Sequence, residues 1–200
     1  MFPLPQYPLL LVFITLAVSA ALTYVVRELA HRYNFVAKPK ANRWHKRPTA
    51  MLGGTAIFLT TLLIYALFVP KTTGSLVILA GSSFLFLVGL IDDIRNIKPY
   101  QKLIGQIIGV SIVIGFGLVL PWTDSEILNI AITAFWLIGI TNAINLLDNM
   151  DGLAAGISVI AAFSLAVGFS SSGQSTDLIF VTVFIGALLG FLIYNFNPAS

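Results

Sequence analysis

Gly139-Ile-Thr-Asn-Ala-Ile-Asn-Leu-Leu-Asp-Asn-Met-Asp-Gly-Leu-Ala-Ala-Gly156 places Asn142, Asn145, Asp148 and Asp151 at three-residue steps inside a chain that is otherwise apolar. On a helix three residues turn by about 300°, so neighbours in this row sit about 60° apart. Asn142, Asn145 and Asp148 therefore share one side of a helix, within an arc of about 120°. Asn149 and Gly152 are helix breakers, so the spacing predicts a helix that ends near Asp148. The result is a row of oxygen donors at the end of an apolar rod. No Lys or Arg follows Lys102, so these carboxylates have no basic partner in their own half of the sequence. A charge at a membrane edge needs a partner, a metal ion or water.

Outward from this stretch, uncharged runs alternate with short polar islands. Pro8–Val26, Leu52–Val69, Leu76–Ile91, Leu103–Leu120, Ile127–Leu147, Leu153–Phe169 and Leu178–Tyr194 each approach the ~20 residues that cross a bilayer. Pro70, Gly74, Pro121, Gly173 and Pro198 punctuate the turns between them. Only 10% of the 200 residues are charged and 58% are hydrophobic, with a mean hydropathy of +0.94. An ordinary soluble domain is thereby excluded. The fold expected is all-α: a polytopic membrane helix bundle of about seven transmembrane helices, in a single transmembrane domain over residues 1–200. Met1 to Val26 carries no charge and the basic residues follow it, so it reads as a first span and not as a cleavable signal. The chain has no cysteine, which removes disulfides, thiolate metal sites and thiol nucleophiles.

Lys and Arg set the orientation. Arg27, Arg32, Lys38, Lys40, Arg43, Lys46, Arg47, Arg95, Lys98 and Lys102 fall on one side of the alternating loops, and Lys71 alone on the other. Positive charge favours the cytoplasm, so the N-terminus is expected outside and both acidic clusters, Asp92–Asp93 and Asp148–Asp151, at the cytoplasmic face. The third and fifth spans run inward, so these acids stand at helix C-termini, where the dipole is already negative. That placement opposes stability and suits the binding of a cation. The plain alternative is a solvated carboxylate paired with Arg95 or Lys98.

The first cytoplasmic loop, Arg27–Met51, holds seven Lys/Arg against Glu28. Topogenic charge and lipid headgroup contact account for part of it. Its end, Arg43-Trp44-His45-Lys46-Arg47-Pro48-Thr49, asks for more. Pro48 suits the first turn of the second span, whose free N–H groups would face the cytoplasm and favour an anion. Basic side chains over such a helix end suit a phosphate. Gly53-Gly54 would admit a ligand or, equally, a neighbouring helix.

Together these segments resemble the polyprenyl-phosphate N-acetylhexosamine-1-phosphate transferases, glycosyltransferase family 4. That family includes the phospho-MurNAc-pentapeptide translocases and the undecaprenyl-phosphate GlcNAc-1-phosphate transferases. The likeness is carried by Arg43–Thr49 with Gly53-Gly54, by Gly89-Leu90-Ile91-Asp92-Asp93 with Lys102, and by Asn142–Asp148 through Asp151-Gly152-Leu153-Ala154-Ala155-Gly156. Asn195-Phe196-Asn197-Pro198-Ala199 is similar to the start of a further segment. Two departures stand out: Asn149-Met150, where the family more often has Gly and an aliphatic residue, and Ala50 in place of a frequent proline. Family members continue with a Gly-Asp-Ser segment and a His-rich cytoplasmic loop, so the chain is expected to be the N-terminal part of such an enzyme.

The resemblance implies transfer of a sugar-1-phosphate, with GlcNAc-1-phosphate as first choice, from a UDP-sugar to polyprenyl (undecaprenyl) phosphate. UMP is released, in the synthesis of cell wall or surface polysaccharide. The location implied is a bacterial inner membrane with a cytoplasmic active site. Asp92, Asp93 and Asp148 are the catalytic candidates. Asn145 and Asp148 are the candidate ligands of Mg²⁺, with Mn²⁺ as substitute, because oxygen donors suit this metal and it needs few of them from the protein. His45, Lys46, Arg47, Lys102, Asn142 and Asp151 are candidates for binding the anionic substrates. The partners expected are the UDP-sugar, the lipid phosphate, the membrane and a homodimer, with no nucleic acid. Two other readings compete. An ion-coupled transporter would use the same Asn and Asp residues as a pathway, and a CDP-alcohol phosphatidyltransferase shares Asp148-x-x-Asp151-Gly152 but wants Arg where Gly156 stands. If the clusters form one site, the third and fifth spans should pack side by side, or nearly so, around a shared cytoplasmic cleft, with Asp93 and Asp148 lining it and Lys46 or Arg47 at its rim.

Overall fold

The computed structural model describes residues 7–33, 36–37, 49–50, 52–197 and 199. Helices form at all seven apolar runs: α1 (Pro8–Arg32), α2 (Gly53–Phe68), α3 (Thr73–Arg95), α4 (Pro99–Gly115), α5 (Glu126–Leu147), α6 (Leu153–Ser171) and α7 (Ser175–Asn195). Between α1 and α2 the two-residue strands β1 (Val36–Ala37) and β2 (Thr49–Ala50) pair antiparallel. The all-helical expectation lacked this pair. β-branched Val36 and Thr49 suit extended backbone, but two residues give no readable alternation.

The helix ends follow local chemistry. α1 begins with Pro8 at its first position and runs past Val26 to Arg32, with His31 and Arg32 in a last turn where positive charge is favoured. At the start of α3 the Ser75 N–H donates to Thr72 Oγ1 at 3.1 Å, and the Thr72 N–H to Ser75 Oγ at 3.0 Å, a reciprocal cap. α5 ends at Leu147, as the breakers after it require. Gly152, at φ 72°, turns the chain into α6. α2 begins at Gly53, and Pro48, expected in the first turn of this span, lies outside the described residues. Thr49 and Ala50, between them, are extended in β2.

Five helices, α1, α3, α5, α6 and α7, are long and apolar enough to cross a membrane. The protein is a polytopic membrane helix bundle. Its contacts divide the chain into two compact units: Met1–Pro70 with Leu147–Ser200, and Lys71–Leu146.

In the first unit α7 is central. It runs parallel to α1, held there by Gly186 and Gly190, four residues apart. A Cβ on Gly190 would lie 2.5 Å from Leu16 O and 2.6 Å from Ser19 Cβ, and one on Gly186 would lie 2.7 Å from Thr15 Cβ. Small residues let the two backbones approach, the usual device where lipid supplies no hydrophobic drive between helices. The facing row on α1, Leu11, Thr15, Ser19 and Thr23, is buried at every fourth position. Its Ser19 Oγ donates to Ala187 O across the contact at 2.6 Å. α2 runs antiparallel to α7, with Gly53 against the Phe191 ring and Tyr65 edge-on to Phe180 at 6.0 Å. Its 16 residues thus follow α7 from Phe191 back to Phe180. α6 is also antiparallel to α7: the Gly152 N–H at its start donates to Asn195 Oδ1, at the end of α7, at 3.1 Å.

In the second unit α3 and α4 run antiparallel. Val88 sits over Gly105, Leu85 over Gly109 and Val113 over Gly81, close enough that no side chain fits at these glycines without a shift. α5 runs antiparallel to α4 and meets it through polar side chains, Lys102 with Asn145 and Gln106 with Asn142, and past the end of α4 the Leu120 N–H donates to Thr133 Oγ1 at 2.9 Å. α4, 17 residues long, packs along α3. The side-by-side packing expected of the third and fifth spans is corrected here. α3 packs along α4, because Gly81, Gly105 and Gly109 make that pair the close one. α5 buries little, with Phe135 80% and Ile127 79% exposed, as suits a lipid-facing helix. Trp122, in the α4–α5 connection, packs edge-to-face at 5.9 Å on Trp136 in the middle of α5.

Candidate active site

The second unit gathers polar groups from three helix ends. α3 ends with Asp92 and Asp93 in its last turn, and α4 restarts at Pro99 after Asn96 turns the chain at φ 48°. Lys102, in the first turn of α4, reaches back across this turn. Its ammonium donates to Asp92 Oδ2 at 2.8 Å and to Asn145 Oδ1, on the last turn of α5, at 3.1 Å. Lys102 and Asp92 are mostly buried, with side chains 20% and 24% exposed, so their attraction is less screened than that of a surface pair. Lys102, a candidate for anionic substrate, is thus also the counter-ion of Asp92. The partners named for these acids from the sequence, Arg95 and Lys98, are both exposed. Asp93 is exposed beside Asp92.

One turn further from the helix ends lies a second contact. Gln106 Nε2 donates to Asn142 Oδ1 at 3.3 Å, and Asn142 Nδ2 donates to Gln106 Oε1 at 2.8 Å and to Ile138 O at 2.9 Å. Gln106 is 2% exposed. Sequence reasoning placed Asn142 among the substrate ligands and missed Gln106. The signal was present: an amide within the apolar run Leu103–Leu120, four residues after Lys102 and hence on the same face.

The remaining candidates fall elsewhere. Asp148 and Asp151 belong to the first unit. There Asp151 Oδ2 accepts from the Ala199 N–H at 3.1 Å, beside the Gly152–Asn195 bond, so the start of α6 is tied to the segment after α7. His45, Lys46 and Arg47 lie outside the described residues. Gly53 accommodates the Phe191 ring, which is helix packing, while a Cβ on Gly54 would meet nothing within 4 Å. Among the described residues no three His, Cys, Asp or Glu side chains cluster closely enough to hold a metal ion.

The family model described as glycosyl transferase family 4 matches residues 75–200, more than half of the chain, a range that includes Asp92, Asp93, Lys102, Gln106, Asn142, Asn145, Asp148 and Asp151. The chain belongs to glycosyl transferase family 4. It is 32% identical over 198 residues to a probable undecaprenyl-phosphate N-acetylglucosaminyl 1-phosphate transferase of Bacillus subtilis, covering 94% of this chain and 55% of that protein. It is 30% identical to the decaprenyl-phosphate N-acetylglucosaminephosphotransferase of Mycolicibacterium smegmatis, over 91% of this chain and 53% of that protein. A phospho-N-acetylmuramoyl-pentapeptide-transferase of Lactobacillus gasseri is 32% identical over 82% of this chain and 60% of its own length. The chain thus spans about half the length of the first relatives it matches.

Proposed function

We propose that this member of glycosyl transferase family 4 transfers a sugar-1-phosphate from a UDP-sugar to polyprenyl phosphate at the cytoplasmic membrane face, releasing UMP. The observation that supports it most is the convergence of Asp92, Lys102 and Asn145 from three helices at one end of the second unit. A cation and acids held together at a span's end suit anionic substrates that meet at the membrane surface. Lys102 offers a positive charge to a phosphate, and Asp92 holds it in place until one arrives. A phosphate monoester is mostly dianionic near neutrality, its second pKa being about 6. The acceptor therefore needs positioning more than a base.

The oxygen donors present fit magnesium, which binds through one or two carboxylates and leaves its other positions to substrate and water. Asn145, with Asp92 and Asp93, would hold it within the second unit, Asp148 is a candidate ligand from the sequence alone, and the ion would neutralise charge on the leaving UMP. GlcNAc-1-phosphate is the group favoured, since two relatives carry N-acetylglucosamine in their names. The test is UMP release by the purified protein supplied with UDP-GlcNAc, undecaprenyl phosphate and Mg²⁺. Release should stop when any one of the three is left out. Release that ignores the lipid phosphate, or none under the complete mixture, would overturn the proposal.

A further inference from the structure

We infer that the Gln106–Asn142 pair is a positioning device: it sets the register of α4 against α5 and so keeps Lys102 on Asp92 and Asn145. α5 has little packing to fix it, and the glycine at its centre line, Gly139, has nothing within 4 Å of where a Cβ would be. Among the described residues, the side-chain hydrogen bonds that join it to α4 are those of Asn145 with Lys102 and of Asn142 with Gln106. Of these, the Gln106–Asn142 bond pair is the one that specifies geometry. Each side chain both donates to and accepts from the other, and Asn142 is further held to its own helix at Ile138 O. A slide of α5 along α4 would break both bonds and strand a glutamine that is 2% exposed. Lys102, by contrast, has a flexible stem and cannot fix a register alone.

The spacing transmits the effect. Lys102 stands four residues before Gln106 and Asn145 three after Asn142, so in antiparallel helices the two contacts lie one turn apart on one seam. Burial alone does not call for an amide here, because an apolar side chain of this size would be buried at less cost. The role of this pair in turnover rests on the transfer proposed above; its role in holding Lys102 does not.

The experiment uses the absence of native cysteine. An Asn145→Cys variant places a thiol beside Lys102, whose ammonium favours the thiolate, so maleimide labelling should begin below the ordinary thiol pKa of about 8.5. Adding Gln106→Leu with Asn142→Leu removes both partners and leaves no orphaned amide. The labelling profile should then move upward by about half a pH unit or more, as the ammonium leaves the thiolate. The exchange Gln106→Asn with Asn142→Gln should restore it. Melting temperatures of all three proteins should agree, which separates position from stability. An identical labelling profile in all three would overturn the inference. With Asn145 native, the double leucine protein should lose about tenfold in kcat, the scale of a supporting residue around a ligand, and the exchange should recover most of it. Unchanged kcat in the double leucine protein would show that the register is irrelevant to turnover. Absence of UMP release from the native protein would instead refute the proposed transfer, with the labelling result still deciding the register.

Discussion

Asp92 stands in the last turn of α3, where the dipole is already negative, and its partner is the Lys102 ammonium, which it shares with the amide oxygen of Asn145. Carboxylates brought together at reduced dielectric repel by several kcal/mol at ~4 Å when the effective dielectric is near 20. The acidic end of α3 calls for a cation, and within the second unit that cation is a side chain, 2.8 Å from Asp92. Lys102→Met should leave Asp92 without this partner and remove a charge from the substrates; UMP release should fall at least about tenfold, equivalent to ~1.4 kcal/mol of barrier. Asp148→Asn should also lose at least about tenfold, with weaker Mg²⁺ dependence, because it removes a charged oxygen donor. Initial rates across a Mg²⁺ titration check both, and a native rate in either variant would remove that residue from the mechanism. At this scale the acids and Lys102 were legible because charge is rare in an apolar chain. Gln106 was not, since its meaning depends on Asn142, thirty-six residues away.

Helix positions were legible for a different reason. Lipid forces the backbone to satisfy itself, so each uncharged run becomes a helix. The ends were less so: α1 continues to Arg32 and α3 through Asp92–Asp93 to Arg95, because a helix leaving the apolar layer can carry charge on its last turns. Which helices touch was not legible from the apolar runs alone. Glycines four apart decide it, Gly105 and Gly109 for α3 with α4, and Gly186 and Gly190 for α1 with α7. The expectation for α3 and α5 failed because it considered the charges and not these contacts. Gly190→Leu should force α1 and α7 apart, since the space over Gly190 is filled by Leu16 O and Ser19. The expected cost is about 1–3 kcal/mol, read as a lowered melting temperature in detergent. Gly54→Ala, where nothing lies within 4 Å, is the control and should melt with the native protein. Equal melting of both variants with the native protein would contradict the packing account.

For the molecule as a whole, the proposed orientation follows from the Lys/Arg asymmetry. The cysteine-free background makes it testable with one thiol at a time. Arg95→Cys and Ser172→Cys should label from opposite sides of the membrane, Arg95→Cys from the cytoplasm; labelling of both from outside would defeat the topology and the cytoplasmic site with it. Family membership rests on residues 75–200 and on relatives that match over most of this chain. The transfer itself is the account's central claim, and the rate of UMP release from UDP-GlcNAc by the native protein and by Asp92→Asn, at equal amounts in membranes, tests it most directly. The account predicts release that requires undecaprenyl phosphate in the native protein and falls at least about tenfold in Asp92→Asn, the scale expected when a group that positions or neutralises the reacting phosphates is lost. Equal release by the two proteins, or release indifferent to the lipid phosphate, would contradict it.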